Sequence, residues 1–587
     1  MTNGIEKKFK GPDQTQMLNR LWELQKSNGY IHDDNIKELA NAFNVSEVEV
    51  EGVISFYHFF QRNPTGKYTI YLNNSIIADI KGFERIKETL ERETGATFGT
   101  NDRTGTFGLF LTPCIGLSDH EPSALINFYP FINLNTSKVK DIIAKLKNGA
   151  SAESICDAPA DNIRYTPPGN KTVFFKKFAP GSVISKLVQA TPLGIIEELK
   201  KSELAGRGGA YFPTWKKWNS AMVQPALPKF VVCNADEGEP GTFKDRVLMN
   251  REANSLIEGM IICGYTIGAE YGIIYLRGEY WWLKNKLDEA IKEYHSKGLL
   301  GEDCGNIKGF SFDIRIQMGA GSYVCGEETA LLESLEGKRG EPRTKWFFPV
   351  EKGYLQLPTV INNVETFCAA AKIIEMGAEE YLKLGIPGSP GTKLISVSGD
   401  CQLPGIYEIE WGMTIEELLG LCKADDPYYI QVSGPSGECI SINEKSRRMS
   451  MIDLPGQKDI RCGGSFMIFN KHRDILKILV NFSEFFKHES CGICTPCRAG
   501  NFIIQRKLDR LNNGFANETD LDEIKSWGTI MKNTSRCGLG KTAANSLIIA
   551  MDKFHDYFET KLDKNYDGLN LKFDMDAATK DYEEYKI

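Results

Sequence analysis

The sequence predicts a multidomain protein of the α/β class, and three observations support this. The chain has 587 residues, which is too many for one hydrophobic core and suggests about three to five domains. Its hydrophobic pattern changes several times, from helical spacing to alternating strands and helices, then to short strands, and back to helical spacing. The one tight group of cysteines lies in the last of these patterned segments.

The N-terminal segment, residues 1–65, is predicted to be a small helical bundle. Leu18, Leu21 and Trp22 share helical spacing up to Gly29, and a similar apolar pattern resumes afterwards. Residues 66–157 then alternate strand and helix, with YTIYL and FGLFL as strands around a helix at Phe83–Thr94. This second segment is predicted to be a compact α/β domain.

The central part of the chain is predicted to be the largest α/β domain, residues 176–385. A segment rich in Pro, Asn and Asp precedes it, and we interpret residues 158–175 as an interdomain linker. The central segment contains the apolar strands FVVCN, GIIYLRG and DIRIQMG between helices, which is the pattern of a mostly parallel sheet. A nucleotide-sized cofactor binds at the strand ends of such sheets.

The C-terminal part is predicted to contain two further domains and a tail. Residues 386–471 contain short strands around one helix at Thr414–Cys422, which indicates a β-grasp-like module. Residues 472–560 return to helical spacing, and residues 561–587 form a charged tail without apolar residues for a core.

Composition excludes several functional classes. The net charge of -7 gives no basic field for nucleic acid, and no run of Lys and Arg stands out. Met1 to Lys10 contains no apolar segment that would direct export, and no stretch is apolar enough to cross a membrane. We therefore expect a cytoplasmic protein without a membrane span.

The strongest chemical motif is a set of four cysteines. Cys491, Cys494 and Cys497 follow C-x2-C-x2-C spacing, and Cys537 lies downstream in TSRCGLG. Three closely spaced thiolates and one remote thiolate match the four corners of a [4Fe-4S] cluster. Zinc usually pairs two C-x2-C units, and chance clustering is the remaining alternative. The spacing favours the iron–sulfur cluster.

Four polar or glycine-rich loops in the central domain form the second signal. They are GRGGAYF at 206–212, NADEGEPGTFKDR at 234–246, MGAGSYVCGEETAL at 318–331 and PTVINNVET at 358–366. Glycines let backbone amides approach a phosphate or a ring closely. Each loop alone could be a tight turn or a solvated acidic loop. Their joint occurrence is more specific and predicts one cofactor crevice.

At this point nearly the whole chain, residues 1–560, resembles a known combination of subunits. It is similar to the thioredoxin-like subunit of respiratory complex I fused to the NADH-oxidising flavoprotein subunit. SFYHFF, TPCIGLSDHEP and GDCQLPGIYEIEWG make it most similar to the large diaphorase subunit of bidirectional, NAD-reducing nickel–iron hydrogenases. The resemblance implies a thioredoxin-like fold for 66–157, a Rossmann-like FMN domain for 176–385 and an SLBB-like β-grasp domain for 386–471.

The resemblance also implies site residues and chemistry. Hydride passes between nicotinamide and FMN, single electrons pass on to the cluster, and no side chain acts as a general base. The residues implied to hold FMN are Gly206, Arg207, Gly208, Gly209, Lys217, Asn234, Asp236, Tyr323, Gly326, Glu327, Asn362 and Asn363. The residues implied to face NAD(H) are Glu237, Glu328, Lys345 and Phe348, with Phe212 against the adenine.

Partners follow from the same resemblance. It implies an iron–sulfur diaphorase small subunit and nickel–iron hydrogenase subunits as partners. The equivalent subunit of an NAD-dependent formate dehydrogenase is the nearest alternative. The chain contains no nickel-site cysteine motif and no molybdopterin domain, so the catalyst for the second substrate must lie on another subunit.

The N-terminal module departs from the family at its cluster ligands. The family binds a two-iron cluster through four cysteines, and the corresponding positions here are Asn73, Ala78, Cys114 and Ser118. One thiolate cannot hold such a cluster. We therefore expect this module to be structural or a docking surface, with Cys114 as a buried thiol.

The nucleotide site departs from the family at four positions. Two glycines and two prolines of the family are replaced by Tyr211, Trp215, Trp346 and Phe347. If these side chains fill the adenosine pocket, they weaken or block NAD(H) binding and the protein is a non-catalytic FMN and iron–sulfur relay. If they stack on adenine or pack outside the pocket, NAD(H) chemistry is retained.

Overall fold

A computed structural model describes residues 13–169, 171–452, 459–563 and 580. The predicted tail, 561–587, lies outside the described residues except for 561–563 and 580. In the described part of the chain, short 3-10 turns supplement the regular helices. They are Asp13–Gln16, Gly278–Leu283, Cys304–Asn306, Tyr323–Gly326, Tyr354–Gln356 and Ile442–Glu444.

The described part of the N-terminal segment, residues 13–65, contains three α-helices that pack on the central domain. Ser46 and Glu49 form a reciprocal capping box at the start of the third helix. The apolar faces of the helices predicted as a bundle join the central core. The indole Nε1 of Trp22 donates to the carbonyl of Gly319 at 3.2 Å. The helices are α1 (Met17–Asn28), α2 (Asp33–Phe43) and α3 (Glu47–Phe56).

The second segment is a small α/β domain with its own core. Strands β1 and β2 run parallel, and β3 and β4 add antiparallel neighbours in the order β2-β1-β3-β4. The predicted helix Phe83–Thr94 is observed with those bounds. The elements are β1 (Tyr68–Asn73), α4 (Ile76–Ile80), α5 (Phe83–Thr94), β2 (Phe107–Thr112), β3 (Ala124–Ile126), β4 (Tyr129–Phe131), α6 (Thr136–Lys147) and α7 (Ala152–Ile155).

The segment predicted to be a linker is partly structured. Strand β5 (Ile163–Tyr165) pairs in parallel with a strand of the β-grasp module, where Ile163 faces Ile406 and Tyr165 faces Tyr407. Prolines and asparagines around the strand concealed this short apolar pattern. The segment therefore connects the domains and also contributes an edge strand.

The central domain contains a fully parallel four-stranded sheet in the order β8-β7-β6-β9. Helices cover the apolar strands, as parallel sheets require. The strands are β6 (Phe230–Ala235), β7 (Tyr271–Leu276), β8 (Asp313–Met318) and β9 (Thr359–Asn363). The helices are α8 (Ile184–Leu187), α9 (Pro192–Lys201), α10 (Thr214–Met222), α11 (Lys244–Arg251), α12 (Ala253–Ile267), α13 (Lys284–Ser296), α14 (Glu328–Leu335), α15 (Pro349–Lys352), α16 (Val364–Met376) and α17 (Ala378–Leu382).

The β-grasp module forms a mixed sheet in the order β15-β14-β16-β12-β13-β5, beside a two-stranded hairpin of β10 and β11. The predicted helix begins after Thr414, whose hydroxyl accepts from the Glu417 amide while the Glu417 carboxylate accepts from the Thr414 amide. The elements are β10 (Gly385–Ile386), β11 (Ser389–Pro390), β12 (Thr392–Gly399), β13 (Gly405–Glu410), α18 (Ile415–Leu421), β14 (Pro427–Val432), β15 (Glu438–Ser441) and β16 (Ser465–Asn470).

The C-terminal segment is helical and has a separate apolar core. Ile76 and Ile77 of α4 join this core, so the second domain also contacts the helical domain. Within the described ranges, no helix has both the length and the apolar character that crossing a bilayer requires. The helices are α19 (Ile475–Glu489), α20 (Thr495–Asn512), α21 (Glu518–Thr534), α22 (Gly538–Thr542), α23 (Asn545–Lys553) and α24 (His555–Glu559).

Candidate flavin and iron–sulfur sites

The predicted loops meet at the carboxyl end of the parallel sheet. Strand β6 ends at Asn234 and Ala235, and its neighbour β9 ends at Asn363. The loop after β8 reaches the same edge, because the Asn234 side-chain amide donates to the carbonyl of Gly326 at 2.8 Å. This edge is where parallel sheets bind nucleotide cofactors.

The glycine-rich loop lies against the same edge. The amide of Arg207 donates to the hydroxyl of Thr366 at 2.9 Å. A Cβ at Gly208 would lie 3.3 Å from Cβ of Asn363, so a side chain there would crowd the loop against β9. Gly209 has a φ of +103°, which side chains disfavour. Glycine is therefore needed for the close approach of these two loops.

Several polar atoms around this crevice suit an FMN molecule. The buried atoms Nε and Nη1 of Arg207, Oδ2 of Asp236 and Oε1 of Glu327 have no hydrogen-bond partner among the described residues. Burial raises the pKa of Asp236 well above its ordinary value. Buried polar groups without partners are costly, so the Asp236 and Glu327 oxygens suit a polar ligand, whereas the Arg207 guanidinium donates to the Tyr381 hydroxyl and lies over the Trp411 ring.

A buried ion network that sequence reasoning missed holds these loops together. Glu365 accepts from Lys393 and lies 3.0 Å from the Lys244 ammonium, and Lys244 lies 2.6 Å from Asp245. Asp245 in turn accepts from the Asn363 side-chain amide at 2.7 Å. The network joins α11, α16 and β12 below the crevice. The acidic and basic residues inside the loop motifs were the only sequence signal for this ion network.

Glu237, which the resemblance implied to face the nucleotide, is buried and hydrogen-bonded inside the protein. Its carboxylate accepts from the amides of Asp245 at 2.8 Å and Arg246 at 3.1 Å, and from the Tyr280 hydroxyl at 2.9 Å. The residue is 6% exposed. Its carboxylate accepts hydrogen bonds from the first amides of α11, which have no partner within the helix.

The remaining residues implied to face NAD(H) lie at the rim. Phe212 and Phe348 are 50% and 64% exposed. Glu328 pairs with Lys217 at 3.2 Å, and the Lys217 ammonium also donates to the carbonyl of Ile361. Lys345 lies 3.6 Å from Glu327. An exposed rim around a buried centre is the arrangement expected for a bound cofactor with an exchangeable second ligand.

Asn362 and Tyr323 make contacts that sequence reasoning could not specify. The Asn362 side-chain oxygen accepts from the indole of Trp218 at 2.9 Å. The Tyr323 hydroxyl donates to Glu239 at 2.5 Å, and Glu239 also accepts from the Ser436 amide at 2.9 Å. The side chains of Asn362 and Tyr323 are therefore held in place by Trp218 and Glu239, and Glu239 is held in turn by Ser436.

The four aromatic replacements do not fill one pocket. Tyr211 has a φ of +52°, which explains the glycine of the family, and its hydroxyl donates to the Cys462 carbonyl in the β-grasp module at 2.6 Å. Trp215 packs against the central core with the Lys200 ammonium 5.4 Å from its ring centre. Trp346 and Phe347 are 83% and 51% exposed. The four side chains therefore do not share one buried pocket.

The four predicted cluster ligands line one small cavity, together with Val324 and Arg536 among others. Cys491 and Cys494 lie just before α20, Cys497 lies in its first turn, and Cys537 precedes α22. Burial raises the pKa of the Cys497 thiol to about 12, so a bound cation would be needed to keep a thiolate there. Within the described ranges, no three His, Cys, Asp or Glu side chains converge closely enough for a single metal ion. Four thiols around one cavity suit the separate corners of a [4Fe-4S] cluster.

Hydrogen bonds add to the fit of the cysteine cavity. The side-chain amide of Asn501 donates to Sγ of Cys497 at 3.3 Å, and the Ser490 hydroxyl lies 3.3 Å from the same sulfur. Donors of this kind orient cluster ligands and set cluster potential.

One short segment connects the crevice to the cysteine cavity. Gly326 and Glu327 border the crevice, whereas Val324 lines the cavity. The Tyr323 amide donates to Glu489 at 2.7 Å, and the Tyr323 ring lies 5.0 Å from that of Phe485 on α19. The two sites are therefore separated by a few packed side chains.

The positions of the family's two-iron ligands are occupied by other contacts. Sγ of Cys114 lies 3.6 Å from the Ser118 hydroxyl, and Asn73 donates to Glu121. The loop docks on the central domain, since Arg277 donates to the Cys114 carbonyl at 2.8 Å and Arg246 to that of Gly116 at 2.9 Å. The expected loss of the two-iron cluster stays a prediction.

A nucleotide crevice joined by one segment to a four-cysteine cavity defines a class: flavin- and iron–sulfur-dependent electron-transfer proteins of the complex I type. Family comparisons agree with this class. Residues 199–372 match the Nuo51 FMN-binding domain, residues 3–147 match the thioredoxin-like [2Fe-2S] ferredoxin family, and residues 477–561 match the NADH-ubiquinone oxidoreductase-F iron-sulfur binding region.

Individual relatives narrow the class. The chain is 46% identical to subunit alpha of the NAD-reducing hydrogenase HoxS from Cupriavidus necator, over 97% of this chain and 96% of the relative. It is 39% identical to the HndC subunit of the NADP-reducing hydrogenase from Solidesulfovibrio fructosivorans, over 65% of this chain and 78% of that one. The crystal structure of an NAD+-reducing [NiFe]-hydrogenase in the H2-reduced state superposes with a TM-score of 0.87 at 34% identity and covers 94% of both chains.

The chain belongs to the family of the large, flavin-bearing diaphorase subunits of NAD-reducing nickel–iron hydrogenases. The family and the multidomain α/β class predicted from the sequence are confirmed. These relatives do not favour the two alternatives, a formate dehydrogenase subunit or a non-catalytic relay with a blocked NAD(H) site.

Proposed function

We propose that the protein is an NADH:acceptor oxidoreductase (diaphorase) subunit that moves electrons between NAD(H), FMN and a [4Fe-4S] cluster. The observation that carries this proposal is the segment Tyr323–Glu327, which borders both the flavin crevice and the cysteine cavity. A protein that exchanges two-electron hydride for single electrons needs these two centres close together.

The FMN would be held by residues from four loops, in which glycines and carboxyl groups have different roles. Gly208 and Gly209 would allow the backbone to approach the ligand, and the buried Asp236 and Glu327 carboxyl oxygens, which make no hydrogen bond among the described residues, would bind its polar groups. When bound, FMN supplies a centre that accepts hydride and releases one electron at a time. The chain's own contribution is to bind, orient and exclude water, because no proton transfer by a side chain is required.

The nicotinamide nucleotide would enter at the exposed rim. Phe212 and Phe348 offer apolar faces for a stacked ring, and Lys345 offers a positive charge for a phosphate. Glu328, also at this rim, pairs with Lys217 at 3.2 Å. Glu237 is left out of this set, because its carboxylate is buried and accepts from the Asp245 and Arg246 amides and the Tyr280 hydroxyl.

The partners are proposed from the relatives. The HoxS protein is an NAD-reducing hydrogenase, and the superposed structure is of the same class. We infer that this chain works in the cytoplasm with an iron–sulfur diaphorase small subunit and nickel–iron hydrogenase subunits. Electrons leaving the cluster near Cys491 and Cys494 would pass to the small subunit.

A two-part experiment tests the proposal. Heating the purified chain and separating the released flavin should yield FMN, and NADH should drive reduction of a one-electron viologen dye. Lys345→Ala should raise the NADH concentration needed for half-maximal dye reduction. The FMN content should stay that of the parent, because Lys345 lies at the rim. Release of FAD, or of no flavin from an intact preparation, would contradict the proposal.

A further inference from the structure

A loop of the thioredoxin-like domain lies beside a loop of the flavin crevice. The first loop, residues 114–119, follows β2 and contains two of the four positions that correspond to the family's two-iron ligands. We call it the anchor loop. The second is the segment between β6 and α11, residues 236–243, which carries Asp236 and which we call the flavin loop. Three side chains of the central domain contact both loops.

Arg277 makes the first connection. Its guanidinium donates to the backbone carbonyl of Glu237, the residue next to Asp236 in the flavin loop. The same guanidinium donates to the backbone carbonyl of Cys114 in the anchor loop at 2.8 Å. One buried cation therefore binds the main chain of both loops.

Arg246 makes the second connection. Its backbone amide donates to the Glu237 carboxylate at 3.1 Å, and its guanidinium donates to the Gly116 carbonyl at 2.9 Å. Two further hydrogen bonds join the guanidinium to the two carboxylate oxygens of Asp119, both at 3.1 Å. The side chains of Arg246 and Asp119 are fully buried. A bidentate pair of this kind fixes the geometry of both partners.

Tyr280 makes the third connection. Its hydroxyl donates to the Glu237 carboxylate at 2.9 Å, and its ring packs against Gly116 of the anchor loop. A Cβ at Gly116 would overlap the Tyr280 hydroxyl, and the φ of Gly116 is +72°. Only glycine therefore allows the anchor loop to approach Tyr280 this closely. All three side chains that contact Glu237 thus also contact the anchor loop.

Arg277 also acts on the charge of Asp236. The amide of Arg277 donates to the carbonyl of Ala235, directly before Asp236, at 3.4 Å. Burial raises the pKa of Asp236, and the Arg277 guanidinium opposes this effect. The position and the charge of Asp236 are therefore both influenced by a residue that the anchor loop holds.

We propose that the anchor loop of the thioredoxin-like domain positions Asp236 for electron exchange with NAD(H), through the three side chains that contact Glu237. Asp119 is then a positioning residue, which acts on the flavin loop through Arg246. Groups that bind a reacting ligand need supporting hydrogen bonds to hold their geometry. The inference rests on the proposed function, because it takes Asp236 as a group that binds FMN.

Stopped-flow reduction of the full-length holoprotein by NADH tests this role. Asp119→Leu removes the carboxylate that pairs with Arg246. The rate constant for flavin reduction at saturating NADH, expressed per bound FMN, should fall by about 10- to 100-fold, because small displacements near the reacting centre have effects of this size. The NADH concentration that gives half the maximal rate should stay that of the parent, because the rim residues are unchanged.

A double variant separates positioning from stability. Asp119→Leu alone leaves the buried Arg246 charge without its partner and should lower Tm. Addition of Arg246→Met removes that charge and should restore part of the Tm. The slow flavin reduction should remain, because the contact with the Gly116 carbonyl is lost as well. This double variant carries the test if the single variant does not retain FMN.

Val139→Ala is the matched control. Val139 lies on α6 in the core of the thioredoxin-like domain and is 1% exposed. Its truncation should lower Tm without changing the rate constant per bound FMN, because Val139 lies in the separate core of that domain.

The rates decide between the alternatives. Flavin reduction at the parent's rate in the double variant would overturn the inference. So would an equal loss of rate in Val139→Ala, because the rate would then follow the stability of the domain. A parent whose flavin is not reduced by NADH would contradict the proposed function itself, and this inference with it.

Discussion

Replacing Glu365 by Gln should destabilise the buried ion network below the flavin crevice. Glu365 is fully buried, and its carboxylate accepts from Lys393 and lies 3.0 Å from Lys244. Glutamine has no charge, so both ammonium groups lose a counter-ion. Breaking a buried ion pair by removing one partner costs about 3 to 5 kcal/mol, because an uncompensated charge stays behind.

This cost should be visible as a lower melting temperature and as lost flavin. For a domain of this size, about 3 to 5 kcal/mol corresponds to a fall of about 6 to 20 °C in Tm. FMN retention should fall as well, because Lys393 lies 3.4 Å from the Arg207 carbonyl and Lys244 lies 3.4 Å from the Asn363 side-chain oxygen. Calorimetry of the parent and of Glu365→Gln, with flavin quantified in each, provides the measurement.

Two controls make the test specific. Glu379→Gln removes an exposed glutamate that pairs with Lys201 at 2.6 Å, and it should change Tm little because solvent screens that pair. The double variant with Glu365→Gln and Lys393→Met should recover part of the lost stability, because it removes one uncompensated charge. Equal Tm and flavin content in the parent and Glu365→Gln would refute the reasoning.

The pH dependence has a definite sign. Burial favours the neutral form of Glu365, but Lys393, Lys244 and Arg207 outweigh it and hold the pKa below its ordinary value. The ionised group therefore contributes stability above the pKa of the unfolded chain, and this contribution is lost as the pH falls through the folded-state pKa. The difference in Tm between the parent and Glu365→Gln should narrow below about pH 4.

Three further predictions concern the cluster, the second domain and the rim. Cys494→Ser should lose about one four-iron cluster per chain in iron and sulfide analysis, whereas Cys439→Ser should keep it; unchanged iron would remove the assignment. Cys114→Ser should leave the iron content unchanged, and a fall would indicate a second cluster. Tyr211→Gly and Trp346→Pro should leave the rate of flavin reduction by NADH unchanged in stopped-flow measurements, because neither side chain fills a pocket; clearly faster reduction would restore the steric-block hypothesis.

The sequence was sufficient for features set by local pattern. The helix Phe83–Thr94 was predicted with its observed bounds, because its apolar spacing and the following Gly95 define it locally. The convergence of the three loops at β6, β8 and β9 was also predictable, since the carboxyl ends of parallel strands meet at one edge. The grouping of Cys537 with the distant C-x2-C-x2-C motif followed from the need of a [4Fe-4S] cluster for a fourth thiolate, and the structure places all four cysteines around one cavity.

Features that depend on tertiary partners were not predictable. The N-terminal helices have the amphipathic pattern of a bundle, and only the fold shows that they bury Trp22 on the central domain. Glu237 was expected to be a ligand because it lies in a polar loop after a strand, but its carboxylate accepts from the Asp245 amide at the start of α11. Tyr211 was expected in the adenosine pocket, whereas its hydroxyl reaches the carbonyl of Cys462 in another module. In each case a partner distant in the sequence decides where the side chain lies.

Anaerobic titration of the purified chain with NADH tests the central claim most directly. The absorbance of the oxidised flavin and the electron paramagnetic resonance of the reduced cluster are followed in the parent and in Cys494→Ser. We predict that NADH bleaches the flavin in both proteins and produces the signal of a reduced [4Fe-4S] cluster in the parent alone. A flavin that stays oxidised in excess NADH, but is reduced by dithionite, would contradict the account.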